Sequence, residues 1–370
     1  MIGLCLSDPH PDHASDGSPI RTLSAARFAG RYRLVDFMLS NMVNSGIHSI
    51  GIILNSHYQS LIGHIGMGKE WDLARKSGGV TFFPPYHADD RRSVNSELDG
   101  PLQRAAQFLV ESKQDYIVLA DSSIIYNMDY RTAVEAHKRS GADVTAIYTK
   151  KKITTGEREN TIAFTLSDEG RVKGIDLPTP NADFANVSLG AYIMHKRNFI
   201  QLTAGEKHCG MLRFSRILLS AALERLNVVG FEFKGYSAHI CSVETFFHYN
   251  LDILDIEKMN ALFNFEGRQI STNRKDSLPA KYGKQSDIKN SIVADGCQID
   301  GTVINSVICR NVKIGAGAVV KNCVLQDDTI IEKNATLDYI ITDRAVVISE
   351  NRSMMGYKTY PVYIERRRVI

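Results

Sequence analysis

No two cysteines in this chain have C-x-x-C spacing, and no His/Cys cluster has the spacing of a zinc site. The six that occur, Cys5, Cys209, Cys241, Cys297, Cys309 and Cys323, are scattered. A zinc site of that type is therefore not expected. No apolar run approaches the roughly 20 residues that a membrane-spanning helix needs. Charge of one sign is also missing: 44 Lys and Arg against 41 Asp and Glu leave a net charge of +3. Bulk electrostatics therefore give no support for nucleic-acid binding. Met1-Ile2-Gly3-Leu4-Cys5-Leu6 is too short and uncharged to read as a signal peptide. A reducing cytoplasm is the expectation. The basic run Arg366-Arg367-Arg368 reads as a solvated tail, with a phosphate or partner contact as the alternative.

What is present is ordinary for a globular protein. The chain has 370 residues, 44% of them apolar and 23% charged, enough for two domains and an ample core. Strand and helix patterns alternate through residues 1–265. Ile2–Leu6, Ser49–Leu54, Val80–Phe83, Tyr116–Ala120 and Asp143–Tyr148 read as strands, and Tyr58–Ile65, Pro101–Lys113 and Tyr130–Ser140 as helices. Further on, Ile162–Leu166 and Arg171–Leu177 read as a strand pair, and Phe214–Leu226 and Val243–Leu254 as helices. The fold class expected is α/β with a mostly parallel sheet. Asp121 follows the apolar run Tyr116–Ala120, at the carboxyl end of a strand, where ligands of such sheets sit. His10 and His13 with Asp12 and Asp16 lie in a stretch of turn formers with no regular element to hold a metal.

Residues 266–288 have the composition of a linker. From residue 289 to 370 the texture changes. Asn290-Ser291-Ile292-Val293 is echoed by Asn305-Ser306-Val307-Ile308, Asn322-Cys323-Val324-Leu325 and Asp338-Tyr339-Ile340-Ile341, at about 16-residue spacing. This predicts a left-handed parallel β-helix of hexapeptide type, whose coils stack to bury an aliphatic core. Such domains either transfer acyl groups or serve as stacking and oligomerisation platforms. No histidine lies in 289–350, so an acyltransferase base is missing and the platform reading is preferred.

The stretch around which the chain is organised is Gly30-Arg31-Tyr32-Arg33-Leu34-Val35-Asp36-Phe37, continuing through Leu39-Ser40-Asn41 to Asn44-Ser45-Gly46-Ile47. It reads as a loop feeding a helix. Leu34, Phe37, Met38, Asn41, Met42 and Ser45 lie at helical spacing, and Gly46 is the stop. In its order of residues this stretch resembles the segment after the nucleotide loop in bacterial and plant glucose-1-phosphate adenylyltransferases. The resemblance extends over essentially the whole chain. It implies a GT-A-like, Rossmann-like nucleotidyltransferase domain followed by a β-helix.

Transfer of a nucleotidyl group to a sugar phosphate needs main-chain N–H groups and cations on the triphosphate, carboxylates for Mg²⁺, and a pocket for the sugar phosphate. Against the family pattern much of this is altered. The glycine-rich phosphate loop is replaced by Ser7-Asp8-Pro9-His10-Pro11-Asp12, which lacks donors at both prolines. A phosphate-binding Lys falls on Leu23. The family's Gln after the second strand falls on Asn55, and the aromatic residue before its Gly-Thr-Ala-Asp-Ala falls on Glu97. The metal-binding Asp is kept as Asp121, but Ser122 replaces the His after it. The family's Glu-Lys-Pro becomes Asp176-Leu177-Pro178, its Asp-Phe-Gly becomes Arg213-Phe214-Ser215, and the second metal carboxylate becomes His239. Asp176, Ser188, Tyr192 and Phe214 are the remnants of the sugar-phosphate pocket. Losing one well-placed charged group in such a site often costs about 2–4 kcal/mol of transition-state stabilisation, and several have gone.

The pattern resembles the GlgD-type subunit found beside a catalytic partner in many Gram-positive bacteria. The resemblance implies a regulatory, catalytically degenerate subunit of a mixed tetramer making ADP-glucose for glycogen. It implies no firm cofactor of this chain's own, Mg²⁺ belonging to the catalytic partner and only a weak metal position at Asp121. The alternative is an active sugar-phosphate nucleotidylyltransferase with a divergent site. Arg21 and Arg33 match family arginines that line an effector pocket between the two domains, with Arg31 beside them. This makes an anionic small-molecule effector the expected regulator, against the alternative of a solvated basic helix start.

Overall fold

The computed structural model describes residues 1–6, 22–54, 57–85, 100–153, 157, 161–176, 184–204, 223 and 225–370. The chain divides into two units: residues 1–26, 34–241 and 263–271 form the first, and residues 27–33, 242–262 and 272–370 the second.

The first unit is built on β1 (Ile2–Leu6), whose five residues are all buried. Ile2, Leu4 and Leu6 enter one apolar core and Cys5 the other, so an uninterrupted apolar run suits a strand covered on both faces. β4 (Ser49–Ile53) and β6 (Tyr116–Asp121) flank β1 in parallel, and β5 (Gly79–Phe83) extends the sheet beyond β4. The other half is mixed. β11 (Ala185–His195) runs antiparallel to β6 and to β8 (Val144–Lys151), and β12 (Val228–Glu232) lies parallel to β8. β9 (Ala163–Leu166) and β10 (Val172–Asp176) form the antiparallel pair at the edge. The sheet is thus parallel around β1 and antiparallel around β11.

Helix α1 (Leu34–Asn44) lies against one face together with α2 (Gln59–Ile65) and α4 (Tyr130–Ser140). The opposite face is covered by α3 (Pro101–Glu111), which has Pro at its first turn, and α5 (Lys196–Thr203). The helix expected over Phe214–Leu226 lies almost wholly outside the described residues.

In the second unit Lys281 to Ile364 wind into three sheets of five short parallel strands each, a left-handed parallel β-helix. Ile299, Val303, Ile314, Val320, Ile331, Leu337 and Ile348 fill its interior. The repeated Asn marks a corner: Asn290, Asn305 and Asn322 have φ of 44°, 47° and 48°. Asn tolerates this left-handed conformation better than other non-glycine residues. The coil starts at Lys281, inside the stretch read as linker, because its first strands, Lys281–Tyr282 and Asp287–Lys289, come before the first Asn-Ser corner. Helix α6 (Val243–Asp252) belongs to this unit, its Phe247 packed with Val307, Val324 and Ile341 on the outside of the coil.

A short hairpin, β2 (Arg27–Phe28) and β3 (Tyr32–Arg33), also belongs to the second unit. Its turn explains Gly30. That residue has φ +80°, and a Cβ there would come within 3.3 Å of Ile292 Cγ2 and 3.4 Å of the Ile308 carbonyl oxygen. Asn250 of α6 accepts the Ala29 N–H at 3.1 Å. The loop expected before α1 is therefore a hairpin, and the chain passes from one unit to the other between Arg33 and Leu34.

Candidate functional site

Asp121 closes β6 at the carboxyl edge of the sheet, as its place after an apolar run implied. It is buried, and its Oδ1 accepts the Ser123 N–H at 2.7 Å. Burial raises its pKa to about 6, against the lowering effect of the Ser123 hydrogen bonds. β11 presses on it from the side. Its register shifts between Ser188 and Ala191, and Gly190 in the bulge has φ +59°. A Cβ on Gly190 would lie 2.7 Å from Asp121 Cβ, so only glycine fits.

Several side chains of this region are hydrogen-bonded to one another. Ser122 pairs its hydroxyl with that of Ser24 at 2.6 Å and reaches the Leu6 carbonyl at 3.2 Å. Leu23, at the family's lysine position, starts the 3₁₀ turn Leu23–Ala25 that carries Ser24. His239 lies on β13 (Ser237–His239), opposite Ile124 of β7 (Ile124–Tyr126), and Ile240 N–H donates to the Ser123 carbonyl. The His239 ring is buried, with Nδ1 3.2 Å from Thr161 Oγ1. Ser188 and Tyr192 pair their hydroxyls at 3.2 Å, and Ser188 Oγ accepts the Gly190 N–H. Asp176 ends β10 opposite Ala163. Arg21, Arg213 and Phe214 lie outside the described residues, as do Asn55, Glu97 and Leu177.

A hard divalent cation held across two phosphates takes oxygen ligands, usually one or two carboxylates. The donors shown at the two metal positions are the Asp121 carboxylate, which accepts the Ser123 N–H, and the His239 imidazole, engaged by Thr161. Among the described residues no three His, Cys, Asp or Glu side chains are grouped to hold a metal. The set shown is one carboxylate and one imidazole, and no catalytic step is assigned to it.

Of the arginines expected at an effector pocket, Arg31 and Arg33 are among the described residues and Arg21 is not. Arg31 is exposed, its guanidinium 5.1 Å from the Tyr32 ring centroid and bonded to the Tyr32 hydroxyl. Arg33 is half-buried and register-paired with Arg27, so the two side chains leave the same face of the hairpin. Arg27 itself was not singled out from the sequence. It is 4% exposed and bonds Asp327 Oδ2 at 2.5 Å. Its partner is 300 residues away, and no local pattern signals the pair.

An α/β sheet with a carboxylate at a parallel strand's end, followed along the chain by a β-helix, is the fold that the resemblance to nucleotidyltransferases implied. The sequence model of the nucleotidyl transferase family matches residues 24–255, and that of the GlmU-like C-terminal hexapeptide family matches residues 278–359. The chain belongs to the nucleotidyl transferase family and, within it, to the group formed by glucose-1-phosphate adenylyltransferases and GlgD proteins of glycogen biosynthesis. It is 30% identical to the glycogen biosynthesis protein GlgD of Bacillus subtilis (strain 168), over 99% of this chain and 96% of that protein. Identity to GlgD of Geobacillus stearothermophilus is 32%, covering 81% of this chain and 77% of the relative. The glucose-1-phosphate adenylyltransferase of Thermosipho africanus (strain TCF52B) is 30% identical over 80% and 72%.

Proposed function

We propose that this chain is a regulatory, catalytically degenerate subunit of a glucose-1-phosphate adenylyltransferase. It acts in the cytoplasm beside a catalytic subunit in a mixed tetramer. There it supports formation of ADP-glucose from ATP and glucose 1-phosphate. The observation that carries this reading is the altered ligand set around Asp121: Leu23 for a lysine, Ser122 tied to Ser24, and His239 bonded to Thr161 in place of a carboxylate. Mg²⁺ then belongs to the catalytic partner. The test is to purify this chain and its catalytic paralogue separately and together, and to assay each. Alone, this chain should form ADP-glucose negligibly, and the mixture should exceed the catalytic chain alone. Turnover by this chain alone within about tenfold of the roughly 10 s⁻¹ of an ordinary enzyme would instead favour an active, divergent nucleotidylyltransferase.

The second ligand of the complex is an anionic effector of the sugar-phosphate or nucleotide kind, received by Arg21, Arg31 and Arg33. Support comes from the exposed guanidinium of Arg31 on a hairpin that also carries Arg33. Arg33→Ala should weaken effector binding about tenfold, or about 1.4 kcal/mol, without preventing assembly. Calorimetric titration of both forms decides it. Equal binding in the two, or none in either, removes the effector reading.

A further inference from the structure

The base of the Arg27–Arg33 hairpin meets the β-helix in a cluster of charge, buried at its centre, that the proposed function does not use. Arg27 gives one guanidinium nitrogen to the Arg31 carbonyl at 3.1 Å and the other to Asp327 Oδ2 at 2.5 Å. Asp327 Oδ1 accepts the main-chain N–H of Arg310 at 3.2 Å. Arg27 and Arg310 are each 4% exposed and Asp327 6%. The Arg310 side chain is itself held by Asp295 and the Asn273 carbonyl. Arg344 pairs with Asp328, one residue on from Asp327. Lys275 lies near enough to Arg27, Arg310 and Arg344 for their charges to lower its pKa, after the larger effect of its own burial.

Four cations (Arg27, Lys275, Arg310, Arg344) and four carboxylates (Asp295, Asp327, Asp328, Asp343) therefore lie close to one another. Asp295 and Asp328 each have an exposed side and an arginine of their own. Asp327 alone is enclosed, between a guanidinium and a main-chain N–H. Those two donors are what a small oxyanion takes from a protein: a planar fork and a fixed amide. A carboxylate carried on a turn of the coil is a tethered version of such an anion.

We propose that Asp327 is a built-in anion filling a seat for a small oxyanion of the phosphate or carboxylate class, so that the Arg27–Arg33 hairpin is held without a ligand. The inference is independent of the proposed catalytic degeneracy. It also differs from the effector reading, which concerns Arg21, Arg31 and Arg33. Removing the carboxylate empties the seat and leaves a buried guanidinium unpaired, which strongly destabilises a fold. A free oxyanion then restores what was lost, by mass action on the folded state.

The test is chemical rescue of the full chain. Melting temperatures of wild type, Asp327→Ala and the double variant Arg27→Met/Asp327→Leu are measured in sodium phosphate, sodium formate and sodium chloride at equal ionic strength. Asp327→Ala should melt at least about 5 °C below wild type in chloride. Phosphate or formate should recover half or more of that loss, a gain in excess of any seen for wild type. The double variant, with no guanidinium to satisfy, should show no excess gain. If Asp327→Ala does not fold in chloride, refolding yield in the three salts gives the same reading. Two results overturn the proposal: an oxyanion gain in Asp327→Ala no larger than in wild type, or an excess gain that persists in the double variant.

Discussion

Folding makes Asp121 a weaker acid. An exposed aspartate titrates near 3.9, and burial takes this one to about 6. The folded state therefore favours the protonated form. That contribution is fully present below about pH 4 and is lost as pH rises through about 6. At pH 8 the ionised carboxylate is a cost that an amide does not bear. Asp121→Asn should consequently raise the free energy of unfolding at pH 8 by about 1–3 kcal/mol and leave it nearly unchanged at pH 3.5. Urea titrations at the two pH values check this, and a loss of stability at pH 8 would contradict it. In the mixed complex proposed above the same substitution should leave ADP-glucose formation nearly intact, since His239 stands where the family resemblance places the second metal carboxylate. The position of Asp121 was legible from its place after an apolar strand. The state of its proton was not, because burial by β11 and the close approach of Gly190 depend on a strand some 70 residues on.

Helix α1 shows what element-scale reading captures and what it misses. The apolar spacing over Leu34–Met42 predicts the helix, and the helix is there, ended by Gly46 at φ +78°. Its polar residues have a separate purpose. Asn41 donates to the Tyr126 carbonyl at 2.9 Å and accepts the Met128 N–H at 3.1 Å. Ser45 accepts the Tyr130 N–H at 2.8 Å, Ser40 the Ser271 N–H at 2.9 Å, and Asn44 donates to the Gln269 carbonyl at 3.0 Å. The order Leu-Ser-Asn, then Asn-Ser-Gly, thus fastens the strand after Asp121 and the segment 269–271 to one helix. Asp36 does likewise for α2, through His64 Nε2 at 2.6 Å. None of these partners is local, so helical periodicity could not reveal them. Asn41→Ala leaves two buried main-chain groups without their side-chain partner and should cost about 2–6 kcal/mol, at about 1–3 kcal/mol each. Asn44→Ala removes one exposed bond and should cost less than about 1 kcal/mol. Chemical denaturation of both variants tests the contrast, and equal losses would refute the assignment.

At the scale of the molecule, the second unit is more than the repeat that announced it. The sequence repeat identifies the coil, but Arg27–Arg33 and α6 belong to it too, and nothing in their local pattern says so. Deleting residues 289–370 would bare Phe247 of α6 and the underside of the hairpin, so loss of association in such a truncation would mix partner binding with damage. The last coil offers a cleaner test. Its strands Ser353–Met355 and Val362–Ile364 end their sheets with one edge unpaired by any described strand. Between them Tyr357 and Tyr360 exchange main-chain hydrogen bonds at 3.1 and 3.0 Å, a small hairpin standing off the coil. Both rings are exposed, as are Met355 and Tyr363 nearby. Aromatic side chains beside open strand edges are apt anchors for another chain, with tyrosine prominent among binding hot spots. If the catalytic subunit docks here, Tyr357→Ser/Tyr360→Ser should weaken association at least tenfold, or about 1.4 kcal/mol. The melting temperature should stay within about 1 °C of wild type, since exposed residues contribute little to the fold. Sedimentation of the mixed subunits at graded concentrations measures the first and calorimetry the second. Full association of a normally folded double variant would move the contact away from the coil end and onto the first unit.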